Sequence, residues 1–192
     1  MNKLALVALL ALELVVSGCG TSGAPSNTTN TQAKGNWEAQ LTGGTDQASL
    51  LNFVTTFTVT NSGPLDVTGF GFFNAGSCFA TGTNAETVTG NASFTTSSTN
   101  TVTGTLTLTV TSATNGSVLT LGTPSAATLT GTSNGTSSTT GTLSNGIVVG
   151  QWSISPGSNA TGCNSASGNF IMCQDKATCT PTTAAAAIKK PE

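Results

Sequence analysis

Thr101-Val102-Thr103-Gly104-Thr105-Leu106-Thr107-Leu108-Thr109-Val110-Thr111 carries threonine at every odd position and, Gly104 apart, an apolar residue at every even one. Successive side chains of a strand point to opposite faces, so this rhythm predicts a half-buried β-strand with Val102, Leu106, Leu108 and Val110 inward. Threonine suits the outer face because it is β-branched and its hydroxyl is satisfied by water.

The same two-residue period runs outward from this segment. Leu51, Phe53, Phe57 and Val59 share one face of the stretch before Asn61. Ile147 to Ile154 is apolar on both parities around Trp152, as expected of a strand covered on both sides. No window past the first residues shows the three-and-four spacing of an amphipathic helix. Asn115-Gly116, Asn134-Gly135 and Asn145-Gly146 read as tight hairpin turns, because Asn and Gly best tolerate positive φ. Asn61-Ser62-Gly63-Pro64 and Gly90-Asn91 add weaker turn signals. The expectation is an all-β domain, an antiparallel meander of about eight to ten strands forming a barrel or a barrel-like sandwich.

Composition narrows the function. The chain has 23 Gly, no His, no Tyr and only 6% charged residues, with a formal net charge of −2. Thr87 to Gln174 contains no Asp, Glu, Lys or Arg. Nucleic acid is disfavoured, since no basic stripe offers phosphates a counter-charge. Acid-base catalysis is disfavoured too: no His serves a Ser or Cys nucleophile, and the domain's carboxylates Glu38, Asp46, Asp66, Glu86 and Asp175 read as separately solvated groups. A metal is not expected, because no His accompanies the cysteines and no short two-cysteine repeat occurs. No cofactor is implied.

The first residues read as an address. Lys3, the apolar run Leu4 to Val16 and then Val16-Ser17-Gly18-Cys19 have the layout of a secretory signal. The run is shorter than the ~20 apolar residues of a membrane span and contains Glu13. Val16-Ser17-Gly18-Cys19 resembles a bacterial lipobox. That resemblance implies a lipoprotein precursor: residues 1–18 are removed, Cys19 carries diacylglycerol and usually a further palmitate-like chain, and the membrane is a partner through that anchor. Two or more acyl chains hold a protein on a bilayer where one does not. Gly20 in place of Asp implies, by the same analogy, the outer membrane rather than the inner. Residues 19–34 then form a flexible tether, 35–175 the β domain and 176–192 a mostly disordered tail.

Gly35-Asn36-Trp37, with Leu41 following, resembles the Gly-x-Trp opening of avidin-like and lipocalin-like barrels. Gly150-Gln151-Trp152 repeats it, and Thr-Gly-Thr steps recur at Gly82, Gly104, Gly131 and Gly141 in the style of Thr- and Gly-rich envelope lipoproteins. The resemblance implies a barrel. It implies no biotin site, since the chain has no Tyr and only Trp37 and Trp152.

Five cysteines are present, and lipidation of Cys19 leaves Cys78, Cys163, Cys173 and Cys179. An even number in an oxidising compartment reads as disulfides, with three connectivities open. The favoured one pairs Cys78 with Cys163 and Cys173 with Cys179.

Aromatic residues are the remaining carriers of a binding function. Trp37 and Trp152 read first as core plugs and second as stacking platforms for a ligand. In Gly69-Phe70-Gly71-Phe72-Phe73, Phe70 and Phe72 share a face that Phe73 does not, and one of those faces is core. Two functions follow as expectations. The first is a lipid-anchored, non-catalytic structural or interaction protein of the cell envelope, with an envelope or extracellular partner. The second is a small-ligand-binding barrel that grips an apolar or sugar ligand with Trp37, Trp152, Phe70 and Phe72.

Overall fold

The computed structural model describes residues 29–43, 51–83, 86–136 and 138–175. The expected signal, Cys19, Asp46, Cys179 and the tail after Asp175 lie outside them. The strands are β1 (Thr31–Thr42), β2 (Asn52–Thr60), β3 (Ser62–Pro64), β4 (Asp66–Asn74), β5 (Gly82–Thr83), β6 (Glu86–Thr96), β7 (Thr101–Ser112), β8 (Val118–Leu121), β9 (Ala127–Ser133), β10 (Gly141–Ser155) and β11 (Ala166–Gln174). All eleven belong to one sheet, and the protein is all-β.

Hydrogen bonding carries the sheet around a partial ring, from β6 through β7, the β8 and β9 position, β10, β11, β1 and β2 to β4. At the β6 end of this path the short β3 pairs with β6, where Ser62, Gly63 and Pro64 face Ser93, Ala92 and Asn91. Phe94 N donates to Asn61 O at 2.7 Å and Leu65 N to Gly90 O at 2.9 Å on either side of it. Every long ladder is antiparallel, as expected. One short parallel contact, Thr31 with Gly141 and Gln32 with Thr142, joins β1 to β10.

Two strands share one place in the ring. β7 pairs antiparallel with β8 through Leu108 to Thr111 and with β9 through Thr101 to Leu106. β10 lies on their other side and pairs with both. β8 and β9 are thus one strand position, interrupted at Gly122 to Ala126 around a cis Thr123–Pro124 bond. This interruption, with the very short β3 and β5, is why eleven strands stand where fewer were expected.

The alternation read from the sequence is the alternation observed. Val102, Leu106, Leu108 and Val110 are buried, as are Leu51, Phe53, Phe57 and Val59. Glycines take inward positions where a large side chain crosses from the neighbouring strand. Gly104 lies opposite Phe94, Gly150 opposite Phe170 and Gly168 opposite Trp152. A Cβ on Gly104 would run into Ser93 O and the Phe94 backbone and Cβ. The Thr-Gly-Thr step at Gly104 therefore exists because the ring's interior lacks room for another side chain there.

Three turn readings are corrected. Asn145-Gly146 is not a hairpin but a bulge inside β10, where the register against β9 shifts between Ser144 and Ile147. Asn145 has φ 53°, and the Gly146 N–H donates to Gln174 Oε1 at 3.1 Å. Asn and Gly serve a bulge for the same reason they serve a turn, so the dipeptide alone does not distinguish them. Gly90-Asn91 lies inside β6, because Gly90 gives room to Leu65 and Leu108. Asn134-Gly135 opens a longer connection, in which Asn134 Oδ1 accepts from Thr142 N at 2.7 Å.

The ordered chain also begins before Gly35. Thr31 is fully buried, and its hydroxyl lies 2.7 Å from Thr96 Oγ1 and 2.8 Å from Ser133 Oγ. These bonds tie residues of the expected tether to two distant strands.

Candidate functional site

The residues singled out as ligand contacts form the core. Trp37 stacks on Phe57 with ring centroids 5.2 Å apart. Phe70 and Phe72 meet edge to face at 5.0 Å, and both contact Phe53. Phe72 also stacks on Phe79 at 4.9 Å. Such pairs contribute about 0.5–1.5 kcal/mol each beyond area burial. All four residues, Trp152 included, are buried. Phe73, on the opposite face, is 59% exposed.

Cys78 and Cys163 form a disulfide that spans 85 residues and ties the loop after β4 to the connection before β11. Asn115 Nδ2 donates to Cys78 O, and Ser117 Oγ lies 3.5 Å from Cys163 Sγ, which packs the β7–β8 turn against the bridge. Cys173 is also disulfide-bonded. Its expected partner, Cys179, lies outside the described residues.

The carboxylates are dispersed. Glu38 lies on the outer face of β1 opposite Cys173 and Val54. Asp66 begins β4. Glu86 holds two backbone donors, Ala80 N and Ala113 N, each at 2.9 Å. That bridge joins the segment before β5 to the end of β7, which gives Glu86 a structural task. Among the described residues no three His, Cys, Asp or Glu side chains gather as metal ligands.

The candidate site is instead on the outside of the ring. β10 and β11 present Gln151 beside Asn169 and Ser153 beside Ser167 as directly paired residues. Alternation points these four outward, because Trp152 and Phe170 point inward. Thr123 and Pro124, in the excursion between β8 and β9, line the same groove, which has a volume of about 440 Å³. Gly122 N donates to Gln151 O at 2.7 Å, and Thr123 Oγ1 lies 3.2 Å from Ser153 Oγ. These bonds hold the excursion against β10.

The floor is fixed from inside. The Trp152 indole N–H donates to Asn169 O at 3.0 Å and Thr42 O at 3.1 Å. Gly168 makes this reach possible, since a Cβ there would meet Thr42 O and Trp152 Nε1. A rigid core tryptophan thus sets where the Asn169 backbone lies.

Next to the groove the same face becomes apolar. Ile171 and Cys173 form a small outer cluster with Ile147 and Val149. This accounts for the apolar run on both parities of Ile147 to Ile154. The groove residues were not legible as a site in the sequence. Gln151 interrupts the outward series after Val149, but its nearness to Asn169 and Pro124 depends on strand register.

No known protein family, curated protein or solved structure matches this chain.

Proposed function

We propose that this chain is a lipid-anchored protein of the bacterial cell envelope, held in the outer membrane through acylated Cys19, with a non-catalytic structural or interaction role. The observation that carries the role is the division of labour between the two faces of the sheet. Inside, Trp37 stacks on Phe57, Phe53, Phe70 and Phe72 pack on one another, and Trp152 is buried in the same core. Outside, hydroxyl and carboxamide side chains repeat in register: Thr103 faces Thr95 and Thr130, and Thr105 faces Ser93 and Thr128. A partner therefore meets the outer surface.

The Cys78–Cys163 bridge agrees with an oxidising compartment beyond the inner membrane. Pairing of Cys173 with Cys179 leaves Cys19 free for acylation. The lipobox resemblance supplies the anchor, and the apolar run Leu4 to Val16 supplies the export signal. The test is the mass of the amino-terminal peptide of protein extracted from membranes. A peptide that begins at Cys19 and carries diacylglycerol, with or without a third acyl chain, is the expected result. An unmodified Cys19, or a chain that keeps Met1, refutes the anchor.

A further inference from the structure

We infer that the groove between the β8–β9 excursion and the outer face of β10 and β11 binds a neutral polyhydroxylated ligand, a segment of uncharged polysaccharide. This deepens the interaction role proposed above and rests on it.

The chemistry of the lining carries the inference. Gln151 and Asn169 are direct cross-strand neighbours, which puts their Cβ atoms ~4.5–5.5 Å apart. Each carboxamide offers two donors and an acceptor, and Ser167 adds a hydroxyl that does both. A sugar hydroxyl also donates and accepts, so adjacent hydroxyls of a sugar ring match a pair of adjacent carboxamides. Thr123 and Pro124 form the opposite wall, and about 440 Å³ is within the ~300–1,000 Å³ of small-molecule sites.

Charge decides the class of saccharide. Among the described residues, all those lining the groove fall within Thr87 to Gln174, a stretch with no Asp, Glu, Lys or Arg. A uronate, sulfate or phosphate would lose hydration in the groove and gain no counter-charge. A neutral hydroxyl loses less and is repaid by hydrogen bonds. Trp152, the nearest ring, is 1% exposed and cannot stack on a sugar face. Binding thus rests on hydrogen bonds and is weak per site. Many copies anchored on one membrane compensate for that through avidity toward a repeating polymer.

The experiment is native affinity electrophoresis of the mature, detergent-solubilised chain in gels cast with dextran, galactomannan, mixed-linkage β-glucan or, as the charged arm, alginate. Wild type should be retarded by at least one neutral polymer and not by alginate. Gln151→Ala/Asn169→Ala should lose about tenfold in affinity, the scale of lost neutral hydrogen bonds, with an unchanged melting temperature because both side chains lie on the surface. Thr89→Ala, exposed on β6, a strand that pairs with neither β10 nor β11, should bind as wild type does. Competition by the corresponding free monosaccharide separates recognition of a single sugar unit from recognition of a polymer segment. Equal retardation of wild type and the groove variant, equal or stronger retardation by alginate, or no retardation in any neutral gel overturns the inference. None of these bears on Cys19 acylation, so the groove and the anchor fail separately.

Discussion

The indole N–H of Trp152 lies 3.0 Å from the carbonyl oxygen of Asn169 and is shared with Thr42 O at 3.1 Å. Trp37, the other tryptophan, is equally buried, but its indole N–H meets no acceptor among the described residues. The two Gly-x-Trp steps look alike in sequence and differ in what they hold.

Replacement by phenylalanine separates them. Trp152→Phe removes a donor from two backbone carbonyls, whereas Trp37→Phe removes a donor that has no partner among the described residues. Urea denaturation should show Trp152→Phe to be less stable than Trp37→Phe by about 1–3 kcal/mol, the cost of stranding buried polar groups. Equal stabilities would mean that the indole bonds at Asn169 and Thr42 contribute nothing.

Cys78→Ser/Cys163→Ser opens a loop of 85 residues. The chain-entropy account gives a loss of ~4–5 kcal/mol for a loop of this size. Reduction of the wild type should lower the denaturation midpoint in the same direction, and a double variant as stable as the oxidised chain would contradict the account.

Gly104→Ala should destabilise by about 1–3 kcal/mol through overpacking, because Phe94 and the Ser93 carbonyl already occupy the place of the new methyl. Gly63→Ala has open space, but its φ of 134° makes it strained for backbone reasons instead. The clash at Gly104 is with the Ser93 carbonyl and the Cα and Cβ of Phe94, atoms that Phe94→Leu retains, so coupling with Phe94→Leu should relieve neither Gly104→Ala nor Gly63→Ala. Relief of Gly104→Ala by Phe94→Leu would contradict this assignment of the clash.

Gln174 is buried, with Nε2 donating to Lys34 O and Leu143 O at 2.9 Å each and Oε1 accepting from Gly146 N. Gln174→Leu strands these backbone groups of β1 and β10 and should cost about 2–4 kcal/mol. Amide exchange at Gly146 should rise sharply in that variant. Unchanged exchange would show that the bulge does not depend on Gln174.

How much of this was legible follows from the range of each interaction. Strand faces depend on a residue and its second neighbours, so Val102 to Val110 and Leu51 to Val59 disclosed their inward sides. The Cys78–Cys163 pairing, favoured from the count and position of cysteines, is the pairing observed. The bulge at Asn145-Gly146 was hidden because positive φ serves turns and bulges alike. The split of one strand position into β8 and β9 was hidden as well, since Thr123-Pro124 reads as any loop until both flanks pair with β7. The groove was least legible. Gln151 and Asn169 become neighbours only through the β10–β11 register, which no local pattern encodes.

We propose that Cys19 carries the anchor of this domain and that its outer face meets the partner. Palmitate labelling of growing cells, followed by carbonate washing of their membranes, tests it most directly. Wild type should be labelled, stay with the washed membranes and accumulate as an unprocessed form under globomycin, whereas Cys19→Ala should lose both label and retention. An unlabelled wild type, or a Cys19→Ala chain that stays with the washed membranes as wild type does, would contradict it.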